Sequence, residues 1–491
     1  IELAAGQTLT LDASVLDGLA PGTAAATVAL GPLAAFDVPG LLTALEAYPW
    51  GCTEQTVSRA MPLLYFAATA EGLGIAGADE IGRRLDGAIR DVLANQAGTG
   101  AFGLWNAAAS GDGWLDAFVT DFLSRARAQG HAVPDRAFQA ALGNLANLVN
   151  AYGDFEKGGE DLAYALMVLA REGRAAIGDL RYYADTRADA FATPLAQAQL
   201  GAALALAGDQ PRADAMFRRA GLAAASGEPE QLYRTDYGSG PRDAAGVLAL
   251  AAEAGSDAVD REGLAAIVTA PGAERSTQEQ LWTLLAAHAL AGDAALGGLR
   301  IDDAPVPGPA LRLTPADLPL RVTNSGPLPT LAVVTAFGIP TQPEPAQGNG
   351  YRIERQLLTL DGAPADPAAI TLNDRLVAVV TVMPERDLQA RLIVSDPLPA
   401  GLEIENPNLL RSGETGQLAW LSADDVATYT EFRADRFAAA VDWQGAEPFR
   451  LAYMVRAVSP GSFHRPAASI EDMYRPAYRA RTDTGTVTVR E

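Results

Sequence analysis

The sequence has few of the residues on which disulfide, metal and cofactor chemistry depends. Its 491 residues include one cysteine, Cys52, and three histidines. One cysteine cannot form an internal disulfide, so the cysteine content says nothing about the cellular compartment. Three scattered histidines beside a single cysteine form no metal-ligand motif, so we expect neither a metal nor a cofactor.

Long apolar runs and positive charge are also scarce. No run is long enough to cross a bilayer, and no basic leader with an apolar core is present. Because the chain begins at Ile1 and not at methionine, we expect it to be a processed product or, in preference, a piece cut from something longer. The formal net charge of −23 argues against nucleic acid or an anionic membrane surface as a partner.

What remains is typical of a folded protein with two or three domains. Hydrophobic residues make up 49% of the chain. Residues 38–299 repeat apolar side chains at helical spacing, which over this length favours either a superhelical solenoid or a closed α/α toroid. No fixed-period motif supports the solenoid. We predict helices near residues 40–47, 53–70, 79–96, 114–129, 134–150, 159–172, 174–184, 193–207, 211–225, 241–254, 257–269 and 275–291.

The two ends of the chain have the pattern of β-strands. Residues 1–36 alternate polar and apolar side chains but are too few to fold alone. After a rigid, proline-rich exit at residues 305–309, period-two alternation returns and predicts an antiparallel β-sandwich. The strands that we predict there are residues 351–360, 375–383, 390–395, 449–457 and 486–490.

Cys52 stands three residues before Gln55, after a turn that Gly51 opens. Side chains at positions i and i+3 meet on one face of a helical turn. Holding a thiol beside a carboxamide removes most of the entropic barrier to their condensation, which releases ammonia and forms an internal thioester. A lone cysteine in a large chain is more often an inert buried thiol, and Cys-x-Glu-Gln alone leaves that alternative open.

A thioester is an acyl donor with a good leaving group, and it survives only where water is kept away. A helix that begins at Gly51 or Thr53 would favour the released thiolate through its N-terminus. Pro62, inside the apolar run that follows, predicts a kink or a break. Four neighbours, Tyr48, Trp50, Met61 and Tyr65, could form a dry collar or could be ordinary core residues. The surroundings that we assign to the bond are Tyr48, Trp50, Gly51, Glu54, Met61 and Tyr65.

Residues 48–65, YPWGCTEQTVSRAMPLLY, closely resemble the thioester segment of the bacterial alpha-2-macroglobulins. Within the helical region, residues 100–123 also resemble this family, because a Gly-Ala-Phe-Gly-Leu-Trp loop similar to the family's Gly-Phe-Gly-x-Trp element is followed by a helix. Residues 161–170 resemble it too. Three segments resemble its C-terminal macroglobulin-like domain, and with them the resemblance spans essentially the whole chain as the C-terminal part of such a protein. These segments are residues 396–407, 431–437 and 471–476.

The resemblance implies a multidomain α plus β fold. In this family an α/α toroid of six helical hairpins is inserted into a small β domain of CUB type, and an antiparallel β-sandwich follows. The implied domains are two CUB-type halves at residues 1–36 and 301–346, the thioester-containing toroid at 37–300, and the macroglobulin-like sandwich at 347–491. The strands of the first half should then pair with residues 310–345.

The resemblance also implies a function, that of a broad-spectrum endopeptidase inhibitor. A protease cuts a bait region upstream, the Cys52–Gln55 thioester is exposed, and a lysine amine of the attacking protease is acylated. This is single-use acyl transfer and not enzyme catalysis. The upstream macroglobulin domains and the bait region are missing from this chain. We expect a monomeric, periplasmic protein that is lipid-anchored to a membrane in its full-length form.

Two further expectations follow from the family. Its complement relatives that prefer hydroxyl targets use a histidine, but residues 144–150 contain none, so the bond should favour amines. In this family an aromatic side chain of the C-terminal domain shields the thioester. Met473 and Tyr474 are our candidates for this lid, with filling of the sandwich core as the alternative.

Two rival functions stay open. One is an α/α-toroid carbohydrate-active enzyme with paired carboxylates, although no acid pair has a diagnostic spacing. The other is a binding module whose thioester is inactive. The acids available to the enzyme are Asp112, Asp116, Asp121, Glu156, Glu160 and Asp161.

Overall fold

The computed structural model describes residues 1–31, 34–226, 233–272, 274–291, 298–306, 308–406, 418, 420–421 and 426–491. Pro307 and Pro407, which belong to two of the segments singled out above, lie outside these ranges. Contacts divide the chain into two units. The first unit holds the described residues up to 341, without 233 and 274–276. The second unit holds residues 233 and 274–276 and the described residues from 342 to 491.

Helices dominate the first unit. The described residues form thirteen α-helices, whereas the sequence predicts twelve. The α-helices are α1 (Val38–Ala47), α2 (Thr53–Ala60), α3 (Leu63–Gly72), α4 (Ala78–Ala94), α5 (Gly113–Ala128), α6 (Asp135–Ala151), α7 (Glu160–Arg171), α8 (Ile177–Thr186), α9 (Pro194–Leu206), α10 (Gln210–Ala225), α11 (Gly240–Glu253), α12 (Arg261–Val268) and α13 (Thr277–Leu290).

Burial separates these helices into two layers. Helices α2, α5, α7, α9, α11 and α13 are buried over most of their length. By contrast, α4 buries one stripe at helical spacing, from Ile81 through Leu85 to Val92, as a helix with one solvent face does. The six buried helices contact one another in chain order, and α13 contacts α2. The ring therefore closes, so the fold is the predicted α/α toroid and not the open solenoid.

The predicted helix at residues 53–70 is two helices. The first, α2, ends at Ala60, and α3 begins after Pro62, whose ring cannot donate the backbone hydrogen bond that a continuous helix needs. This confirms the predicted break. In the same way, α12 begins at Arg261 and not at 257, because the Asp260 side chain accepts from the Gly263 N–H and caps the helix there.

Two four-stranded sheets complete the first unit, in the orders β1-β8-β3-β6 and β2-β7-β4-β5. Strand β3 pairs with β6 and β8, so strands from the first 36 residues pair with strands from 310–337, as the sequence predicts. The four-segment domain division stays a prediction. The strands are β1 (Glu2–Leu3), β2 (Thr8–Leu11), β3 (Ala25–Leu30), β4 (Leu299–Ile301), β5 (Ala304–Pro305), β6 (Ala310–Leu313), β7 (Leu320–Asn324) and β8 (Thr330–Phe337).

The second unit is the predicted β-sandwich. Its sheets have the orders β10-β12-β17-β14, β11-β21-β18 and β15-β16-β13-β19-β20-β9, with β11 and β21 parallel and the other pairs antiparallel. Side chains from all three sheets form one apolar core. The strands are β9 (Gln347–Asn349), β10 (Tyr351–Thr359), β11 (Ile370–Thr371), β12 (Arg375–Pro384), β13 (Leu388–Pro397), β14 (Leu402–Ile404), β15 (Ala427–Phe432), β16 (Arg436–Gly445), β17 (Phe449–Ala457), β18 (Gly461–Arg465), β19 (Ser469–Asp472), β20 (Arg479–Arg481) and β21 (Gly485–Arg490).

Within the described ranges, no helix is long and apolar enough to cross a membrane.

Candidate functional site

Cys52 is the residue that caps the N-terminus of α2. Its backbone is extended, and its Sγ accepts the Gln55 backbone N–H at 3.4 Å. In return the Cys52 backbone N–H donates to Gln55 Oε1 at 3.2 Å, which completes a reciprocal capping box. Cys52 is 1% exposed and Gln55 is fully buried. The structure therefore brings the two predicted partners of the thioester onto one turn, in a place from which water is largely excluded.

The helix N-terminus suits both partners of such a bond. Unpaired N–H groups at a helix start carry partial positive charge, which stabilises a thiolate at Cys52. A backbone N–H on Oε1 also polarises the Gln55 carbonyl, as donors do in an oxyanion hole. Backbone N–H groups of the capping box therefore stabilise the Cys52 thiolate and polarise the Gln55 carbonyl that it attacks.

The segment before Cys52 contributes a direct contact through Tyr48. Tyr48 ends α1, and its hydroxyl accepts a hydrogen bond from Gln55 Nε2 at 3.2 Å. Trp50 is half-buried and Gly51 is exposed in the intervening turn. Of the four predicted collar residues, the structure thus shows Tyr48 against the reacting carboxamide.

Met61 and Tyr65 follow α2 in the chain, and their place in the collar stays a prediction. Met61 follows the end of α2, roughly 13 Å along the axis from Cys52 at 1.5 Å per residue. Tyr65, on α3, accepts from Arg125 at 3.0 Å and stacks on the His288 ring at a centroid distance of 4.4 Å. His288 is near the end of α13, where partial desolvation lowers its pKa. Met61 is a buried core residue, whereas Tyr65 is half-buried and His288 is exposed.

Glu54 joins α2 to the last helix of the ring. Its carboxylate is fully buried and accepts from Ser58 Oγ at 2.5 Å, from Thr277 Oγ1 at 3.1 Å and from Gln278 Nε2 at 2.7 Å. Thr277 and Gln278 form the first turn of α13. Glu54 therefore fixes the position of α2, and with it the adjacent Gln55, at the place where the ring closes.

The loop between α4 and α5 lies against the start of α2. The Thr53 N–H donates to the Leu104 carbonyl at 2.8 Å, and Thr53 Oγ1 donates to the Gly103 carbonyl at 2.6 Å. Asn95, after α4, donates to the same Thr53 oxygen at 2.8 Å. The sequence pointed to this loop through its glycines and aromatic residues, but it gave no signal for Thr53 and Asn95. Thr53, the residue after Cys52, is therefore held by the loop carbonyls on one side and by Asn95 on the other.

Glycine at position 103 is a structural requirement of this loop. A Cβ there would lie 1.7 Å from the Asn106 carbonyl oxygen, whereas a Cβ at Gly98 would meet nothing within 4 Å. We expect G103A to lower the free energy of unfolding by roughly 1–3 kcal/mol, as forced overpacking does, and to weaken the Thr53 contact. Urea titration of G103A and of the matched control G98A checks this. Equal midpoints for the two variants would contradict it.

Asp116 anchors the same loop from α5. Its carboxylate accepts from the Phe102 N–H at 2.6 Å and from Asn144 Nδ2 at 2.7 Å. Burial raises the pKa of Asp116 to about 6, and the negative charge of Asp112 adds to the rise. The two hydrogen bonds favour the charged form and oppose the shift, but desolvation outweighs them.

This pKa predicts a pH dependence of stability. From the ordinary Asp pKa of 3.8 up to about 6, folded Asp116 holds a proton that the unfolded chain has released. The contribution of this group to the free energy of unfolding must therefore fall as pH rises through that window and level off above it. We expect D116N to remove this slope. Urea titrations of both proteins at several pH values measure it, and parallel curves would refute the assignment.

The other acids considered for a carbohydrate-active site have structural roles. Asp112 caps α5 and accepts from the Tyr237 hydroxyl at 2.5 Å, and Asp161 accepts from Tyr152 at 2.7 Å. Asp121 is paired with Arg125 and Arg171. The remaining two are Glu156, which is exposed, and Glu160, at the start of α7, whose pKa is raised by burial. Among the described residues, no group of three acids, histidines or cysteines is placed to hold a metal ion.

The lid candidates lie in the second unit, directly after β19. The Met473 N–H donates to the Arg391 carbonyl at 2.9 Å, and the Arg391 guanidinium lies 5.8 Å from the Tyr474 ring centre. Met473 is 2% and Tyr474 is 7% exposed. Neither is a member of the apolar core cluster that the described strands form, and core filling stays open as the alternative. The lid function stays a prediction.

Comparison with known proteins gives one consistent match. Residues 350–477 match the family model of the bacterial alpha-2-macroglobulin MG10 domain. The alpha-2-macroglobulin of Xylella fastidiosa (strain Temecula1) is 32% identical over 96% of this chain and 31% of that protein. That of Escherichia coli K12 is 32% identical over 97% of this chain and 30% of that protein. This chain therefore spans about a third of the length of these relatives.

Solved structures agree with the sequences. The crystal structure of native Escherichia coli alpha-2-macroglobulin from domain MG7 to the C-terminus superimposes with a TM-score of 0.85 at 30% identity, over 100% of this chain and 81% of that one. Salmonella alpha-2-macroglobulin reacted with methylamine gives a TM-score of 0.84 at 30% identity, over 100% of this chain and 33% of that one. The chain belongs to the bacterial alpha-2-macroglobulin family, whose C-terminal part it matches.

Proposed function

We propose that Cys52 and Gln55 form an internal thioester, and that the chain is the part of a protease-trapping inhibitor that attaches covalently to its target. The observation that carries this is the reciprocal pair of hydrogen bonds between the two residues, both of them buried. Methylamine, with which the Salmonella relative was reacted, is a small amine of the kind that opens thioesters.

The chemistry requires no group beyond those in the chain and its target. A lysine amine of a protease attacks Cδ of Gln55, an amide bond forms, and the C–S bond breaks. Cys52 leaves as a thiolate at the start of α2 and then takes up the proton that the amine loses. Each chain can do this once, so the protein is an inhibitor and not an enzyme.

Several features of the whole protein belong to the same proposal. A bait region and further macroglobulin domains upstream would bring the protease to the bond, and this chain alone should trap nothing. The full protein would work as a monomer in the periplasm, held to a membrane by a lipid. Tyr474 or Met473 would shield the thioester before activation, and lysine amines would be favoured over hydroxyls.

The rival functions have less support. Asp112, Asp116, Asp121 and Asp161 already cap helices, anchor a loop or pair with arginine and tyrosine, which makes them poor candidates for a carbohydrate-cleaving pair. A binding module with an inactive thioester differs from our proposal in one measurable property. Its Cys52 would be a free thiol from the outset.

Intact-mass measurement with thiol titration, before and after methylamine, tests the proposal. A formed bond predicts a starting mass lower than the sequence mass by one ammonia, and no titratable thiol. After methylamine we expect one added amine and one thiol per chain. A free thiol at full sequence mass would reject the proposal, whereas a hydrolysed bond would show water in place of ammonia.

A further inference from the structure

Hydrogen bonds hold the Gln55 carboxamide and the Cys52 sulfur at atoms that each have a task in acyl transfer. The carbonyl oxygen accepts from the Cys52 N–H at 3.2 Å, and the sulfur accepts from the Gln55 N–H at 3.4 Å. The amide nitrogen Nε2 donates to the Tyr48 hydroxyl at 3.2 Å. Because the Cys52 N–H needs an oxygen opposite it, the amide cannot be flipped, and Nε2 must face Tyr48.

We propose that Tyr48 is the proton-transfer residue of this thioester. Its hydroxyl protonates the amide nitrogen of Gln55, which leaves as ammonia when the bond forms, and its oxygen takes a proton from the attacking amine when the bond opens. This assignment rests on the proposed function and adds a catalytic residue to it. The contact between the phenol and the leaving nitrogen is what carries it.

Formation of the thioester needs acid catalysis chiefly at the leaving nitrogen of Gln55. The Cys52 thiolate attacks Cδ of Gln55, and the carbonyl electrons move to Oε1, which the Cys52 N–H stabilises. The C–N bond can break only if the nitrogen gains a proton, since an amide anion is a very poor leaving group. Tyr48 gives that proton and regains the one lost by the thiol. One thiol and one carboxamide thus yield one thioester and one ammonia.

Opening by an amine is the reverse of this reaction and uses the same groups. An amine that attacks Cδ must approach from the position that the ammonia left, beside the Tyr48 oxygen. The thiolate then departs and is protonated through solvent by Tyr48, while the phenolate takes the excess proton of the new amide nitrogen. By microscopic reversibility, a residue that speeds closure by ammonia loss must speed opening by ammonia equally.

The position of the phenol is fixed by the helix that carries it. Tyr48 ends α1, and its N–H donates to the Leu45 carbonyl at 3.3 Å. The buried face of α1 includes Leu41, Leu42 and Leu45, which pack with Leu284 of α13. Tyr48 is half-buried, and its hydroxyl contacts the fully buried carboxamide of Gln55.

A purely structural role for Tyr48 would have the opposite consequence. If the ring only shielded the bond from water and amines, losing the hydroxyl would leave the rates unchanged or raise them. A proton-transfer residue, by contrast, typically contributes a factor of about 100 or more to the rate. The sign of the rate change in Y48F therefore separates the two roles.

The experiment compares the wild-type chain with Y48F and with Y182F, a matched removal of an exposed phenol hydroxyl on α8. The thioester is opened with ammonia, which restores Gln55 and the Cys52 thiol, and the ammonia is then removed. Loss of the thiol and loss of one ammonia in mass give the closing rate. Methylamine uptake gives the opening rate. Circular dichroism confirms that the variants are folded.

We expect Y48F to slow closing and opening alike, each on the order of 100-fold, and Y182F to match the wild type. A Y48F chain whose thioester is already open at the start agrees with slow closing, and its closing rate is then measured from the open form. Equal rates in Y48F and wild type, or faster opening in Y48F, would overturn the role of Tyr48 alone. A wild-type chain that never forms the bond would overturn the proposed function as well.

Discussion

Replacement of Cys52 by serine is expected to abolish methylamine uptake while leaving the fold intact. Serine is a favoured N-cap residue, so its hydroxyl can accept the Gln55 N–H in place of the sulfur and keep the capping box. An alcohol is a far weaker nucleophile than a thiolate at neutral pH, so no ester should form with Gln55. Intact mass should show the full sequence mass, unchanged by methylamine.

A thermal melt of C52S beside the wild type supplies the control. Equal or slightly higher stability of C52S would show that the chemistry, and not the fold, has been removed. S58A, at the neighbouring Glu54 contact, should by comparison retain methylamine uptake, because the Ser58 hydroxyl donates to Glu54 and accepts from Gln278. Uptake of methylamine by C52S would contradict the assignment of the thioester to this residue.

Asp121 to alanine is expected to cause the largest loss of stability among our predictions. Asp121 is fully buried on α5, where it accepts from Arg125 at 3.2 Å and from the Tyr164 hydroxyl at 3.0 Å, and it pairs with Arg171. Arg125 also binds Glu253 on α11. Without Asp121, buried positive charge on α5 and α7 would be left undercompensated, which costs roughly 3–5 kcal/mol.

The matched control is D135A, which breaks the exposed ion pair with Arg127. Exposed pairs contribute no more than about 1 kcal/mol, so D135A should unfold close to the wild-type urea midpoint. Urea titration of the three proteins measures both effects. If D121A and D135A unfolded at the same urea concentration, the buried network would not hold the ring together as described.

Those parts of the fold that depend on the local pattern of apolar residues and prolines could be predicted from the sequence. The helices follow from apolar spacing, and the break at Pro62 follows from a missing backbone donor. The Cys52 and Gln55 pair was also predictable, because residues three apart meet on any helical turn and the capping box needs nothing from elsewhere.

Contacts across the ring could not be predicted in this way. Glu54 binds Thr277 and Gln278, more than 200 residues away, because the toroid closes between α2 and α13. Helical spacing gives no information on which helix follows another around a ring. Closeness to Cys52 in sequence likewise does not decide which side chains surround the bond, since Met61 follows the end of α2 and Tyr65 belongs to α3.

Peptide sequencing by mass spectrometry after methylamine tests the central claim most directly, because it locates both ends of the bond. The account predicts that the peptide containing residues 48–59 carries a methylamide on the side chain of Gln55 and a free thiol on Cys52, in equal amounts. An unmodified Gln55 beside a thiol that was free before methylamine was added would contradict it.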